Sequence, residues 1–200
     1  LSGLTNFALN QSYTFKWRDA TGDGIEWYNN LKDLEVKKLT DGMIATSGFS
    51  MSASLYVGVM GSAGMAEVVV NLSEAKKINK VVLRDIADNG GSFADLNSTS
   101  IAVSVSDDGV EYTPVEGLVD TLYFSYKVSD SGSVTQFKDL YTHSIDFSQV
   151  SAKFVKIRFQ STKYCMSITE VEVYGPTIQG DEPVVELGDA NGDGEIDNLD

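Results

Sequence analysis

The feature that most constrains this 200-residue sequence is a series of short, β-branched segments separated by turn residues. Residues 154–159 and 168–174 alternate apolar with polar side chains, as strands with one buried face do. Residues 68–70, 81–83 and 101–105 are similar short apolar segments. Glycine-containing turns such as Asp41-Gly42 and Asp108-Gly109 lie between them, and no segment has a long helical apolar stripe. The pattern predicts an all-β fold, an antiparallel β-sandwich.

Charge is distributed unevenly along the chain, whose formal net charge is -14. From residue 176 onward there are eight acidic residues and no Lys or Arg, which leaves 15 basic and 21 acidic residues before that point. Nucleic acids and anionic membranes are bound through basic patches, so we expect neither as a partner. No stretch approaches the roughly 18 apolar residues of a membrane span. A single cysteine, Cys165, excludes an intrachain disulfide.

Changes in composition predict three segments. Residues 1–176 carry the strand pattern, which ends at Gly175 and Pro176. Residues 177–187 are acidic, contain a proline and show no periodicity, which is typical of a linker. Residues 188–200 hold a different motif, and because the chain stops within it, we expect a piece of a longer protein.

Residues 189–200 have the spacing of a twelve-residue calcium loop, with Asp189, Asn191 and Asp193 at positions 1, 3 and 5. The Glu195 carbonyl and the Asp200 carboxylate would complete the Ca²⁺ ligands. Aspartate at position 12, together with the preceding linker, resembles the first repeat of a type I dockerin. The resemblance implies a cohesin as partner of the complete dockerin. The alternative is an acidic, disordered tail.

Several local motifs, in the expected order, resemble one family. Residues 4–14 are similar to the N-L-A-L-N-K opening of discoidin-like modules, and residues 104–112 resemble their V-S-D-D-G hairpin. Residues 154–159 and 168–175 resemble the closing Y-V-R-I and I-S-E-V-E-V-Y-G strands. The family comprises discoidins, coagulation-factor C domains and family 32 carbohydrate-binding modules, with a galactose-binding-like jelly roll.

This resemblance implies a function as well as a fold. We expect a monomeric, non-catalytic module that binds a glycan, either a galactose-type sugar or a plant or host polysaccharide. Its parent would be a secreted glycoside hydrolase or cellulosome-type protein that acts in polysaccharide degradation. The alternatives are a structural or protein-interaction spacer without a sugar site, and a membrane-adhesion module, which the negative charge disfavours.

The resemblance also implies a structural Ca²⁺ between the Asp-Gly turn and the last strand. The oxygen ligands would come from Lys38, Asp41, Met43, Thr46, Thr169 and Glu170. Two carboxylates with neutral oxygens suit a hard cation. Alternation predicts that Val171 and Val173 face the core while Glu170 and Glu172 face out. The alternative is that Asp41 belongs to a plain turn and that Glu170 is a solvated strand residue.

A sugar site needs an aromatic platform with polar groups beside it. Trp27 and Tyr28 are the leading candidates, because the two tryptophans flank one polar, glycine-rich stretch. The further candidates are Trp17, Arg18, Asn89, Phe93 and Tyr164. Trp17 lies in a strand-like run and also fits a core position, and Tyr164 also fits a place beneath a loop.

Catalysis by this chain is not expected. The single histidine, His143, lies in an alternating apolar run, and Cys165 precedes a buried strand, so both are interpreted as structural. The G-x-S-x-G and H-E-x-x-H motifs are absent from the sequence. A catalytic activity would then belong to another part of the parent protein.

Overall fold

The computed structural model describes residues 3–18, 36–43, 57–60, 65–87, 99–127, 139–161 and 165–178. These residues form the strands β1 (Leu4–Asn6), β2 (Tyr13–Arg18), β3 (Val57–Met60), β4 (Met65–Ala87), β5 (Thr99–Ser106), β6 (Thr113–Pro114), β7 (Val119–Lys127), β8 (Asp139–Ser161) and β9 (Cys165–Pro176). Every pairing between them is antiparallel. No helix occurs in these ranges, and so none that could cross a membrane. The predicted all-β, antiparallel fold is confirmed.

Two strands of 23 residues each, β4 and β8, pair along nearly their whole length and belong to both sheets. In the first sheet, residues 65–70 of β4 pair with β2, and residues 154–161 of β8 pair with β5, which carries β6. In the second sheet, residues 80–85 of β4 pair with β9, and residues 139–146 of β8 pair with β7. The sequence pattern predicted residues 68–70 and 81–83 as separate strands, but both lie in β4.

The β4–β8 pair bends where its register breaks, between Asn71 and Lys76. Ser73 lies there with φ 69°, a left-handed conformation that redirects the chain. Side chains from both halves of β4, such as Val70 and Val81, belong to one buried cluster. The two sheets therefore face each other across a shared core.

The core follows the alternation of the strands. The fully buried side chains of the cluster are Ala8, Leu39, Ala66, Val68, Val70, Ile78, Val81, Leu83, Ile145, Ala152, Val155, Ile157, Phe159, Val171 and Val173. Their neighbours along the strands, such as Glu67 and Arg158, point to the outer faces. A large share of the favourable folding free energy comes from removing these apolar groups from water.

Several strand ends lie together at one end of the sandwich, and they border residues that are predicted to bind sugar. Only three residues separate Ser161 of the first sheet from Cys165 of the second, so these two strand ends lie close together. Arg18 pairs with Met65, which pairs with Gln160, and residue 87 ends β4 in the second sheet. We call this end, defined by residues 18, 87, 161 and 165, the loop end.

Candidate functional site

The turn at residues 36–43 lies against the edge of β9. Strand β3 covers residues 165–168 of that edge and β1 covers residues 174–176, which leaves the middle of β9 open. The turn occupies this gap, because the Val171 amide donates to the Leu39 carbonyl at 2.7 Å. Leu39 is fully buried and anchors the turn in the core. Leu39 is not among the site residues predicted from the sequence.

Hydrogen bonds to the β1–β2 connection hold the turn in place. The Asn10 amide donates to the Thr40 carbonyl at 2.6 Å, and the Thr40 hydroxyl donates to the Gln11 carbonyl at 2.7 Å. Gly42 has φ 77°, a left-handed backbone conformation that residues other than glycine adopt only at an energetic cost. The predicted Asp41-Gly42 turn is therefore present, and its position is set by tertiary contacts.

The turn meets a buried carboxylate. Glu170 is fully buried, and its Oε1 accepts a hydrogen bond from the Gly42 amide at 3.0 Å. Its Oε2 is also buried and has no hydrogen-bond partner among the described residues. The pKa of Glu170 is raised from its ordinary 4.5 to about 8, mainly by burial and also by the nearby charges of Asp41 and Glu172, against the opposing effects of the Gly42 amide and Arg84. Among the described residues, Arg84 is the one cation that acts on Glu170, and it is already paired with Glu172.

The alternation of β9 holds only in part. Val171 and Val173 are buried in the core, as predicted. Glu170 and Glu172 point to the opposite face, but that face is covered there, and Glu172 pairs with Arg84 at 3.2 Å. The interpretation of Glu170 as a solvated strand residue is wrong, because the turn closes over it.

The residues named as calcium ligands come partly together. Lys38, Asp41 and Met43 lie in the turn and Thr169 and Glu170 in β9, whereas residue 46 lies outside the described residues. One carboxylate oxygen of Asp41 accepts the Met43 amide at 2.8 Å. Within the described ranges no group of three His, Cys, Asp or Glu side chains could hold a metal, so a cation here would also need main-chain oxygens. The unpartnered Glu170 oxygen and the main-chain oxygens of the turn fit a hard cation.

The sugar candidates fall mostly outside the described residues. Trp17 and Arg18 lie at the end of β2, where only the backbone is described, and residues 27, 28, 89, 93 and 164 are not described. Segment 19–35 begins after β2, segment 88–98 begins after β4, and residues 162–164 connect β8 to β9. The described strand ends that border these segments, residues 18, 87, 161 and 165, lie at the loop end. The predicted loop at residues 189–200 also lies outside the described part.

His143 is a buried residue within the second sheet. It pairs with Leu83 on one side and Leu122 on the other, and its Nδ1 lies 2.6 Å from the Asp120 carboxylate. Its Nε2 is buried and has no partner among the described residues. A reactive histidine needs access to a substrate, and this position in the core offers none in the described part.

The fold is similar to that of a solved structure. A chitosan-binding module 1 from a chitosanase/glucanase of Paenibacillus sp. IK-5 is 22% identical, with TM-score 0.50, over 86% of this chain and 99% of that chain. Module 2 of the same enzyme, in complex with chitotriose, is 20% identical with TM-score 0.49, over 85% and 100%. A family 32 module from a family 31 glycoside hydrolase of Clostridium perfringens is 17% identical with TM-score 0.44, over 84% and 97%.

No curated protein sequence matches the chain. The F5/8 type C domain family, in contrast, matches residues 21–171, which is most of the sequence. This match covers most of residues 4–175, on which the resemblance to discoidins and coagulation-factor C domains depends. The chain therefore belongs to the F5/8 type C domain family.

Proposed function

We propose that the chain is a non-catalytic carbohydrate-binding module of a secreted, multimodular glycoside hydrolase, and that a glycan binds at the loop end. The observation that supports this proposal is that the strand ends bordering segments 19–35, 88–98 and 162–164 lie at one end of the sandwich. These segments contain the candidates Trp27, Tyr28, Asn89, Phe93 and Tyr164. Solved modules of the same fold are named for chitosan binding, which agrees with a glycan as ligand.

The module would act by proximity. A bound glycan raises the local concentration of substrate at a catalytic domain carried on the same chain. Sugars are recognised when their apolar face stacks on an aromatic ring and their hydroxyl groups meet polar side chains. A rigid sandwich whose strand ends carry aromatic segments provides such a platform.

Changing Trp27 and Tyr28 to alanine is expected to weaken glycan binding at least tenfold, which corresponds to about 1.4 kcal/mol. The loss of the stacking surface is the cause. Isothermal titration against galactose-type sugars, chitosan oligosaccharides and plant polysaccharides measures the effect. Tyr123→Ala is the matched control, because Tyr123 is an exposed aromatic on β7, away from the strand ends of the loop end.

Two results would count against this function. If the wild-type module binds none of these glycans at millimolar concentration, the result favours the spacer alternative. If Tyr123→Ala weakens binding as much as the double variant does, the site lies elsewhere.

A structural Ca²⁺ is the second part of the proposal. We propose that Asp41 and Glu170, with carbonyl oxygens of Lys38, Met43 and Thr169 and an oxygen of Thr46, bind this ion. The support is the buried Glu170 carboxylate, whose Oε2 lacks a hydrogen-bond partner in the described part. A divalent cation would compensate the charge of both carboxylates and join the turn to β9.

The third part concerns the C-terminal segment. We propose that residues 189–200 are the first calcium loop of a dockerin whose complete form binds a cohesin in a cellulosome-type assembly. The spacing of Asp189, Asn191 and Asp193 supports it.

Changing Asp189 and Asp193 to alanine in the parent protein is expected to lower its affinity for cohesin at least tenfold, because two calcium ligands are lost. Surface plasmon resonance on immobilised cohesins measures this affinity. The control changes Asp181 and Glu182 in the linker to alanine, which removes the same two negative charges. Equal losses in both variants, or no cohesin binding by the parent, would rule out the dockerin.

A further inference from the structure

The outer face of the first sheet carries a group of cations on an acidic protein. Lys16 of β2 and Lys156 and Arg158 of β8 point to this face, opposite to the buried Ile157 and Phe159. The only acidic residue that the strand alternation places there, among the described residues of β2, β4, β8, β5 and β6, is Glu67. We call Lys16, Lys156 and Arg158 the cationic face. Its local charge is opposite in sign to the net charge of -14.

The sheet register brings these cations together. Lys16 pairs with Glu67, and Glu67 pairs with Arg158, so the three side chains form one row across three strands. Two strand spacings place Lys16 roughly 10 Å from Arg158 at the Cα atoms, and two residues along β8 place Lys156 roughly 7 Å from Arg158.

Contacts fix the direction of two of the cations. The guanidinium of Arg158 donates to the Glu67 carboxylate at 2.8 Å, and its side chain remains 49% exposed. The ammonium of Lys156 lies 3.5 Å from the centre of the Tyr112 ring, within the range of a cation–π interaction. Both side chains are thus held over the sheet and lose less conformational entropy when a ligand binds.

The electrostatic environment of Glu67 shows that the cations converge. Partial burial raises the pKa of Glu67, but the hydrogen bond from Arg158 and the charges of Lys156, Arg158 and Lys16 outweigh it, and the net pKa is lowered. One carboxylate therefore lies within the fields of three cations. On these strands three cations therefore face one carboxylate, and Asp108 of the β5–β6 turn is the further acidic group that acts on the Tyr112 ring below Lys156.

The neighbours of the cations on β5 are small. Ala102 pairs with Arg158 and Ser104 pairs with Lys156, so short side chains lie beside both cations. Strands β4 and β8 are central and paired on both edges, so an extended peptide cannot add to them as a further strand.

We propose that the cationic face binds an acidic polysaccharide through its carboxylate or sulfate groups. This surface goes beyond the proposed function, because it lies on the sheet rather than at the loop end. Arg158 would pair with one anionic group, Lys16 with the next along the row, and Lys156 with a group beside them. The module would then hold a polysaccharide at two separate surfaces.

Changing Lys16 and Arg158 to glutamine tests this inference. Binding of the intact chain is measured by isothermal titration with polygalacturonate as carboxylate source, dextran sulfate as sulfate source, and neutral dextran. We expect wild-type binding to at least one acidic polymer, weaker at high salt because exposed charges are screened, and at least a tenfold loss in the variant. The control changes Lys76 and Lys77, which lie at the bend of β4, to glutamine and removes the same charge.

The outcomes are separable from those at the loop end. The variant with Lys16 and Arg158 changed should keep its affinity for the glycan that binds at the loop end. The variant with Trp27 and Tyr28 changed should keep its affinity for the acidic polymer. No binding to either acidic polymer overturns the inference, and so does an equal loss in the Lys76 and Lys77 control. Equal binding of poly-glutamate through the same residues would assign the face to an acidic peptide instead.

Discussion

Replacing Gly175 with alanine is expected to destabilise the fold by about 3 kcal/mol or more. A Cβ at this position would lie 1.9 Å from the Lys77 carbonyl oxygen, 2.9 Å from its carbonyl carbon and 3.0 Å from the Ile78 Cα. These are backbone atoms of β4, so no side-chain rotation relieves the contact. Strand β9 would have to move away from β4, which would disturb the core. Urea unfolding monitored by circular dichroism measures the change.

Gly3→Ala is the matched control for this substitution. Gly3 has φ 81°, so alanine is strained there, but its Cβ would meet nothing within 4 Å. The expected cost is about 1 kcal/mol from backbone strain alone. If Gly175→Ala lowers the free energy of unfolding no more than Gly3→Ala does, β9 does not approach β4 as closely as the structure shows.

The stability of the metal-free protein is expected to fall as the pH rises from about 4.5 to about 8. Glu170 is protonated in both states below its ordinary pKa of 4.5, and in the folded state it stays protonated up to about 8. Between these values the unfolded chain has released a proton that the folded protein still holds, so each pH unit costs up to about 1.4 kcal/mol. The total is about 4 kcal/mol. Thermal melting at several pH values, with a chelator present, measures it.

Calcium is expected to reverse this loss, because Ca²⁺ bound at the proposed site would stabilise the ionised form of Glu170. At pH 8, Ca²⁺ should raise the melting temperature of the wild type and leave that of Glu170→Gln unchanged. The Glu170→Gln variant should also lose the pH dependence, whereas Glu116→Gln, at an exposed position, should keep it. A wild type with the pH dependence but no response to Ca²⁺ would show that Glu170 is a buried acid without a metal.

Strand β9 shows how far the sequence predicts the site. The period of two along residues 168–174 correctly placed Val171 and Val173 in the core, because alternation is a local property. The burial of Glu170 depends on a turn about 130 positions earlier that fills the gap between β1 and β3. No local pattern records that contact. A family resemblance pointed to the turn, but the amide of Gly42 as donor to Glu170 required the structure.

Strand β4 shows why some boundaries could not be predicted. Apolar alternation stops at Ser73 and Glu74, which are exposed at the bend, so residues 68–70 and 81–83 look like separate elements. The ladder of hydrogen bonds to β8 resumes beyond the bend and keeps one strand continuous. The cationic face is a similar case, because Lys16 and Arg158 become neighbours only through the register of three strands.

The strands shared by the two sheets also determine when this module can fold. Met65 pairs with Gln160 and Ala87 with Asp139, so the central ladder joins residues about 50 to 95 positions apart. During synthesis the amino-terminal two thirds of the chain has no β8 to pair with, and neither sheet can close. The contact order is therefore high, and folding is expected to be slow and cooperative once β8 and β9 have emerged from the ribosome.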